Sequence, residues 1–356
     1  MKRRIGILTA GGDCPGLNAA IRGVARASYH LFDADIIGIR GGYRGLIEGD
    51  YHRMEESDFS NILTRGGTIL GTSRTPFSQM RDNDDGVDKV DEMKRNYRAM
   101  KLDCLVCLGG NGTHKTANLL SEEGLNVIGL PKTIDNDIAG TDYTFGFHTA
   151  VEIATDVIDR IHTTAASHGR CMVIELMGNK AGWLTLYAGM AGGADVILLP
   201  EIPYDINKIT KMIETRANLN KSFSIIAMTE KTMNQDEKAM KRKEREQART
   251  ESVYNSISQR IAAEIEELCG VETRTVVPGH IQRGGTPCAY DRVLSTEFGV
   301  HAAQLIRDEI YGVTVAVDGR KIIHNKLSDI AGVPKLVQVD GPMVQTARDI
   351  NISLGI

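Results

Sequence analysis

The sequence predicts an α/β protein with doubly wound, largely parallel sheets. Short, continuously apolar runs alternate along the chain with amphipathic helical patterns, as in sheets whose strands are buried on both faces. Glycine-rich or charged loops follow many of these runs, and in such sheets ligands bind beyond the carboxyl ends of the strands. The length of 356 residues is enough for two domains or one large one.

The predicted strands are apolar runs that end in glycine, proline or a polar residue. The first, RIGILTA, leads directly into a glycine turn. In chain order, the strand runs cover residues 4–10, 34–42, 102–110, 125–133, 171–178, 194–200, 223–230 and 273–280. Apolar residues at helical spacing predict helices over residues 17–32, 113–124 and 148–167.

The overall charge argues against a nucleic-acid-binding protein. Lys and Arg number 42 and Asp and Glu number 46, a net charge of −4 that still permits a local basic pocket. No apolar run reaches about 18 residues, so we expect no transmembrane helix and no membrane partner. The N-terminal stretch MKRRIGILTAGG is too short for a signal peptide.

The six cysteines are scattered along the chain. Cys104 and Cys107 form a CxxC motif inside a predicted strand, where alternation directs the two sulfurs to opposite faces. We therefore expect buried free thiols there, with a redox or zinc pair as the alternative. Free thiols suit a reducing cytoplasm, so we expect a cytoplasmic protein.

The segment from Asp236 to Thr250, DEKAMKRKEREQART, is dense in charge. Such a run is typical of the solvated face of a helix, and a regulatory or subunit contact is the alternative. No pattern in residues 215–252 identifies an effector site.

Two glycine-rich loops that follow predicted strands are candidate anion sites. Gly11–Gly16, GGDCPG, can bring backbone N–H groups to an anion, or it forms only a tight turn. Leu108–Thr116, LGGNGTHKT, fails the Walker A pattern at His114 and the dinucleotide fingerprint at Lys115. A phosphate cradle there would be of neither standard type.

A third loop, LPKTIDND at residues 130–137, is rich in reactive groups. Asp135 could remove a proton from an attacking hydroxyl, and Asp137 could orient that hydroxyl or hold a metal-bound water. Lys132 and Thr133 could contact phosphate oxygens. This combination of base, cation and donor is what phosphoryl transfer needs, and a capped polar turn is the alternative.

Other predicted strand ends carry arginines. Arg74 ends a glycine turn, Arg170 and Arg274 stand beside predicted strands, and His280 and Arg283 follow the last strand. A single arginine is more often part of a surface ion pair. Because the planar guanidinium fork binds phosphate, several such loops suggest ligands with more than one phosphate group.

These motifs resemble the phosphofructokinase family and occur in the family's order. They span residues 11–285 and read GGDCPG, GGTILGTSR, GGNGT, PKTIDND, HGRCMVIELMG and ETRTVVPGHIQRGG. PxTIDND and GHIQRGG are highly specific. The resemblance implies in-line phosphoryl transfer to the 1-hydroxyl of D-fructose 6-phosphate, a step of glycolysis that yields fructose 1,6-bisphosphate. It also implies Mg²⁺, held by the donor phosphates.

The resemblance further implies the domain organisation. Two Rossmann-like domains would enclose the active site in the cleft between them. The larger, donor-binding domain would comprise residues 1–146 and 287–335, and the sugar-phosphate-binding domain residues 147–286 and 336–356. Bacterial members are usually homotetramers. The site needs at least a homodimer, because Arg170 and Arg274 would reach the 6-phosphate from a neighbouring subunit.

By the same resemblance, Asp135 is the general base, and Thr133, Asp137 and Lys132 lie beside the transferring phosphoryl group. The residues implied for the sugar-phosphate site are Arg170, Met177, Gly178, Asn179, Glu230, Arg274, His280 and Arg283. Those implied for the donor site are Gly12, Arg74, Thr75, Gly110, Asn111, Gly112 and Thr113, with Asn111 at the metal position.

Two positions bear on the phosphate donor. Pyrophosphate-dependent members carry Asp where this chain has Gly112, and that carboxylate excludes the α-phosphate of ATP. Lys132 argues partly the other way, because strict ATP enzymes often have Gly there. The combination resembles the ATP-using side of the mixed-substrate branch. We therefore expect ATP, with a reversible pyrophosphate-dependent enzyme as the alternative.

Two positions depart from the family pattern. Asn111 replaces a carboxylate that helps to position Mg²⁺, and its carbonyl oxygen brings no charge. Asn179 stands where Arg is common, so Lys180 or Lys132 is the candidate substitute cation. The departures motivate an alternative of another class, a catalytically weak phosphosugar-binding regulator.

Overall fold

The computed structural model describes residues 2–81 and 88–356. The chain separates into two compact units. Unit 1 comprises Met1–Thr149 and Arg283–Lys335, and unit 2 comprises Ala150–Gln282 and Leu336–Ile356. The assignment of one substrate to each domain stays a prediction.

Strands and helices alternate through most of both units. The strands are β1 (Arg3–Thr9), β2 (Ala34–Ile39), β3 (Tyr51–Met54), β4 (Cys104–Gly109), β5 (Val127–Pro131), β6 (Cys171–Leu176), β7 (Val196–Leu198), β8 (Ser224–Thr229), β9 (Thr273–Val276), β10 (Val313–Asp318) and β11 (Lys321–Lys326). The α-helices are α1 (Leu17–Leu31), α2 (Tyr43–Glu48), α3 (Lys89–Ala99), α4 (Asn111–Glu122), α5 (Phe147–His168), α6 (Trp183–Ala191), α7 (Ile206–Asn218), α8 (Gln235–Ala239), α9 (Arg242–Glu251), α10 (Ile257–Cys269), α11 (Ala289–Arg307), α12 (Leu327–Ile330) and α13 (Pro342–Asp349). Short 3₁₀ helices cover Glu56–Phe59, Phe77–Gln79 and Gly279–Arg283. Within the described chain, none of the helices combines the length and apolarity that a membrane crossing requires.

Unit 1 contains a seven-stranded sheet in the order β11-β10-β5-β4-β1-β2-β3. The strands from β10 to β2 run parallel to one another. The direction of chain progression reverses between β1 and β4, because β2 and β3 extend to one side and β5 and β10 to the other. Doubly wound sheets bind ligands at such a switch point. The predicted doubly wound α/β fold is confirmed, and its topology points to the loops after β1 and β4.

Burial explains why the central strands read as continuous apolar runs. Every residue of β2, β4 and β5 is buried, as expected for parallel strands covered by helices on both faces. At the starts of α3 and α10, local side chains satisfy free amides. Asp88 accepts hydrogen bonds from Val90 N and Asp91 N at the start of α3, and Ser256 accepts one from Gln259 N at the start of α10.

The antiparallel edges of this sheet are absent from the sequence prediction. β3 pairs antiparallel with β2, and β11 pairs antiparallel with β10. Both edge strands mix polar and apolar residues, and neither is a buried run. An edge strand exposes one side to water, so it lacks the continuous apolar signal used for the central strands.

Unit 2 contains a four-stranded parallel sheet in the order β7-β8-β6-β9. All four strands overlap predicted runs, but β9 ends at Val276 rather than at residue 280. Pro278 has no N–H group to donate to a neighbouring strand. The chain then turns into the 3₁₀ helix Gly279–Arg283.

The charged segment Asp236–Thr250 is only in part a solvated helix face. It forms α8 and α9, and no residue of α9 is buried. Glu237, in contrast, is 4% exposed and binds Arg249 at 2.8 Å and Arg260 at 2.9 Å. Burial alone would raise the pKa of Glu237, but the two arginines outweigh it and lower that pKa to about 2. The segment is therefore anchored through a buried ion cluster.

The six cysteines are free. Cys104 and Cys107 lie buried in β4. Burial raises the pKa of both thiols, that of Cys107 to about 12. The prediction of buried free thiols is confirmed for this pair.

Candidate active site

Three loops leave neighbouring parallel strands at the carboxyl edge of the unit 1 sheet. β4 pairs with both β1 and β5 in parallel, and the loops after these strands begin at Ala10, Gly110 and Lys132. Backbone hydrogen bonds join the loop starts to β4. Ala10 N donates to Leu108 O and Lys132 N donates to Gly109 O, each at 3.0 Å. The three motif loops of the sequence therefore meet in one site.

Lys132 connects the first and third loops from a buried position. The residue is 4% exposed, and its Nζ donates a hydrogen bond to Gly12 O. Burial lowers the pKa of Lys132, and the nearby Arg283 lowers it further, whereas Asp135 acts in the opposite direction. A buried ammonium between these two loops is suited to an anion that contacts both of them.

Arg283 brings a second cation to Gly12. A Cβ atom on residue 12 would lie 2.5 Å from Nη1 of Arg283, so a larger residue there would displace the guanidinium. Among the described residues, none accepts a hydrogen bond from the buried Nε of Arg283. By family resemblance, Arg283 is expected in the sugar-phosphate site. In the structure, its guanidinium lies beside Gly12, in the loop that is predicted to bind the phosphate donor.

Asn111 and Asp137 connect the second and third loops. Nδ2 of Asn111 donates to the backbone O of Asp137 at 3.0 Å and to its Oδ2 at 3.3 Å. Burial raises the pKa of Asp137, and the hydrogen bond from Asn111 opposes that shift. Since both acceptors require the NH₂ group, the orientation of the amide is fixed. Its Oδ1 is buried and accepts no hydrogen bond from any described residue.

The N-terminus of α4 forms an open part of the second loop. Within the described chain, no side chain caps α4, and its first turn has no acidic residue. A Cβ atom on Gly112 would meet no atom within 4 Å. The buried Thr113 fixes the first turn, because its carbonyl accepts a hydrogen bond from the Tyr43 hydroxyl at 2.8 Å. Free amides and the helix dipole make such a terminus attractive to phosphate.

The third loop holds two carboxylates on either side of a fixed residue. Asn136 is buried and has a φ of 50°, a left-handed conformation that Asn tolerates better than most residues. Its Oδ1 accepts a hydrogen bond from Thr144 N at 3.0 Å. Asp135 N donates to Thr133 Oγ1 at 3.0 Å. Asp135 and Asp137 are both partly exposed, whereas Asn136 between them is buried.

In unit 2, four of the residues predicted for the sugar lie at the carboxyl ends of two paired strands. Met177, Gly178 and Asn179 follow β6, and Glu230 follows β8. Asn179 N donates to Glu230 Oε1 at 3.2 Å. Met177 N donates at 3.3 Å to Oε1 of Gln282, a buried residue that the sequence analysis missed.

Arg170 and Arg274 share one carboxylate. Nε of Arg170 lies 2.9 Å from Oε2 of Glu272, and Nη2 of Arg274 donates to Oε1 of the same group. The arginine side chains are 32% and 51% exposed. Nη1 of Arg274 also lies 3.2 Å from Oε1 of Glu266, so two carboxylates balance the two guanidinium groups, whose planar forks suit a phosphate group.

The remaining predicted site residues are Arg74, Thr75 and His280. Arg74 and Thr75 follow Ser73, whose O accepts a hydrogen bond from Gly11 N at 3.0 Å, so this segment borders the first loop. His280 is exposed and lies in the last of the 3₁₀ helices.

The site offers a metal ion few protein ligands. Residues 2–81 and 88–356 contain no group of three or more His, Cys, Asp or Glu side chains arranged to hold an ion. The buried Oδ1 of Asn111 is a neutral oxygen without a donor, beside the carboxylate of Asp137. Mg²⁺ binds through one or two protein groups together with substrate phosphates. The residues present therefore fit an ion that arrives with a phosphate ligand.

Comparison with known proteins gives matches along the whole chain. The family model described as phosphofructokinase matches residues 4–306. An ATP-dependent 6-phosphofructokinase of Spirochaeta thermophila is 53% identical over 357 residues, which cover 99% of this chain and 98% of that protein. A pyrophosphate–fructose 6-phosphate 1-phosphotransferase of Amycolatopsis methanolica is 44% identical over 336 residues, covering 94% of this chain and 96% of that protein.

The fold also matches that of a solved phosphofructokinase structure. The crystal structure of Pichia pastoris phosphofructokinase in the T-state matches with a TM-score of 0.82 and 29% identity. The match covers 99% of this chain and 37% of that chain, so this chain spans little more than a third of that relative.

Proposed function

This chain belongs to the phosphofructokinase family, and we propose that it transfers the γ-phosphoryl group of ATP to the 1-hydroxyl of fructose 6-phosphate. The products are fructose 1,6-bisphosphate and ADP. The supporting observation is the junction of three loops at one sheet edge, where Asp135 lies near the buried cation Lys132. Phosphoryl transfer needs a base for the nucleophile and fixed positive charge for phosphate oxygens. Formation of fructose 1,6-bisphosphate by the purified protein tests the proposal.

In this mechanism, Asp135 accepts the proton of the 1-hydroxyl as the sugar oxygen attacks the γ-phosphorus. The bond from that phosphorus to the leaving oxygen of ADP breaks in line, without a covalent enzyme intermediate. Lys132 and Arg283 supply fixed positive charge beside Gly12, and Thr133 offers a hydroxyl donor. When bound, Mg²⁺ neutralises donor phosphate oxygens, and the residue that would contact it is Asn111, through Oδ1.

The sugar phosphate is proposed to bind at the strand ends of unit 2. The residues proposed to contact the sugar are Met177, Gly178, Asn179, Glu230 and His280. Arg170 and Arg274 are proposed to bind the 6-phosphate in a neighbouring subunit. Their partly exposed cluster around Glu272 supports this assignment. At least a homodimer, and a homotetramer by family resemblance, is part of the proposal, and sedimentation velocity measures the assembly state.

ATP is proposed as the donor because space is open above Gly112. A carboxylate at this position would repel the α-phosphate. The 53% identical relative is named for ATP. The 44% identical relative is named for pyrophosphate, so a pyrophosphate-dependent enzyme is the second candidate.

Gly112→Asp tests the donor assignment. A Cβ atom at this position meets no atom within 4 Å, so the main change is negative charge at the N-terminus of α4. We expect kcat/KM for ATP to fall by roughly 10- to 100-fold, because like charges placed together cost several kcal/mol. Steady-state kinetics with varied ATP measure the effect. Gly112→Ala is the matched control without charge, and equal ATP kinetics in the two variants would contradict the assignment.

Asn111→Asp tests the metal position. In the wild type, Nδ2 of Asn111 lies 3.3 Å from Oδ2 of Asp137. The substitution replaces this NH₂ group by a carboxylate oxygen and so places a second carboxylate beside Asp137. Without a cation each charge raises the pKa of the other, so the pair should bind Mg²⁺ more tightly. We expect the apparent Mg²⁺ constant to fall by about 3- to 10-fold, as ligand charge tunes cation affinity. Asn118→Asp, on the same helix, controls for added charge. An unchanged Mg²⁺ constant in Asn111→Asp would count against the assignment.

A protein of another class, a phosphosugar-binding regulator with weak catalysis, is the remaining alternative. The neutral residues Asn111 and Asn179 motivate it. Binding of fructose 6-phosphate without turnover by either donor would favour it. We also propose a cytoplasmic location, which the free cysteines support.

A further inference from the structure

We propose that Lys335 is a positioning residue for phosphoryl transfer. It holds the turn at Asn136, and this turn determines the relative positions of the carboxylates of Asp135 and Asp137. Lys335 is the last residue of unit 1 and lies outside every motif that identified the family. Its effect on catalysis rests on the proposed function, whereas its effect on the turn is independent of the substrates.

The ammonium of Lys335 is directed at a single loop. Nζ lies 3.0 Å from Asn136 Oδ1, 2.8 Å from Thr141 O and 2.7 Å from Asp142 O. All three acceptors belong to the segment between β5 and α5. A lysine ammonium carries three donors in a compact head, so it can bind three convergent oxygens, which the planar fork of arginine matches poorly.

The backbone of Lys335 holds the same loop from the other side. Lys335 N donates to Asp137 O at 2.8 Å. Pro334 and Ile138 form an antiparallel bridge. The carbonyl of Asp137 thus receives both Lys335 N and Nδ2 of Asn111. Two segments that are distant in sequence therefore fix the main chain at Asp137.

Asn136 is the residue that most needs this support. Its φ of 50° is uncommon outside glycine and persists only where neighbouring groups determine it. Its side chain is engaged at both ends, with Oδ1 accepting from Thr144 N and Lys335 Nζ and Nδ2 donating to Asp142 O at 3.1 Å. If Asn136 rotated, the carboxylates before and after it would change their relative positions.

The surroundings of Lys335 on balance disfavour its charged form. Burial lowers the pKa of Lys335 to about 8, while Asp142 and Asp137 act in the opposite direction. The role of Lys335 in the turn rests on the hydrogen bonds of its ammonium to Asn136, Thr141 and Asp142.

Lys335→Met removes the ammonium while keeping most of the side-chain length. In coupled kinetics at saturating ATP, we expect kcat to fall by roughly 10- to 100-fold with KM for both substrates within about twofold of wild type, because misplacement of a catalytic group slows chemistry more than binding. Hydrogen–deuterium exchange should show a faster-exchanging Thr144 amide. Lys321→Met, an exposed lysine of the same unit, is the matched control with wild-type kinetics.

Two outcomes would overturn the inference. One is a wild-type kcat in folded Lys335→Met protein. The other is a lower kcat with unchanged exchange at Thr144. If Lys335→Met does not fold, Asn136→Gly decides, since glycine permits the positive φ but removes the amide contacts. A wild-type kcat in that variant would equally overturn the inference. Turnover of the wild-type protein in the same assay tests the proposed function separately. The exchange rate of the Thr144 amide tests the role of Lys335 in the turn and does not depend on the identity of the substrates.

Discussion

Asp135→Asn is expected to lower kcat at least about 10²-fold, the lower range of a general-base contribution. The carboxamide has nearly the same shape as the carboxylate, but it cannot accept the proton of the 1-hydroxyl. The turn should persist, because the side chains of Asn136, Thr144 and Lys335 hold it. Affinity for fructose 6-phosphate should therefore stay close to that of the wild type. Steady-state kinetics and equilibrium binding of fructose 6-phosphate measure the two quantities.

The matched control is Asp318→Asn, which makes the same chemical change at the exposed end of β10. It should leave kcat and KM unchanged. If Asp135→Asn retained wild-type turnover, Asp135 would not be the base. If it instead abolished binding of the sugar phosphate, its main role would be in binding.

Lys132→Met is expected to lower kcat by about 10²-fold, comparable to the removal of one preorganised donor from an active site. The methionine retains the apolar stem in a position that is 4% exposed. It removes the ammonium that binds Gly12 O, and with it a positive charge beside the phosphoryl group. The loss should appear at saturating concentrations of both substrates, and initial rates there measure it.

Lys180→Met separates the two candidate substitutes for the arginine that is missing at position 179. Lys180 is exposed, and its replacement should have little effect on kcat if Lys132 is the substitute. Unchanged turnover in Lys132→Met together with a large loss in Lys180→Met would reverse the assignment. The two variants remove the same charge and differ only in where that charge lies.

Most of the parallel centre of each sheet could be predicted because local sequence and burial agree there, but the parallel strand β10 was missed. β4 and β5 read as continuous apolar runs and are fully buried. The edge strand β11, KIIHNK, has no fully buried residue, so nothing in its composition distinguishes it from a loop. The ion cluster of Glu237 was missed for a related reason. A charged run predicts exposure unless its partners are known, and one of the partners of Glu237, Arg260, lies outside the run.

The site could be predicted where each loop contains its own chemistry. PKTIDND and GGNGT are short and follow strands, so topology alone brings them together. Contacts between distant segments could not be predicted. Lys335 and Asn136 are 199 positions apart, and the packing of Arg283 against Gly12 depends on the tertiary fold. Such pairs leave no periodic or local pattern in the sequence.

The most direct test of the proposed function is a coupled assay of the purified protein at saturating fructose 6-phosphate and Mg²⁺, with ATP and pyrophosphate as separate donors. We expect formation of fructose 1,6-bisphosphate with a higher kcat/KM for ATP than for pyrophosphate. Turnover with pyrophosphate but not with ATP, or binding of the sugar phosphate without turnover by either donor, would contradict it.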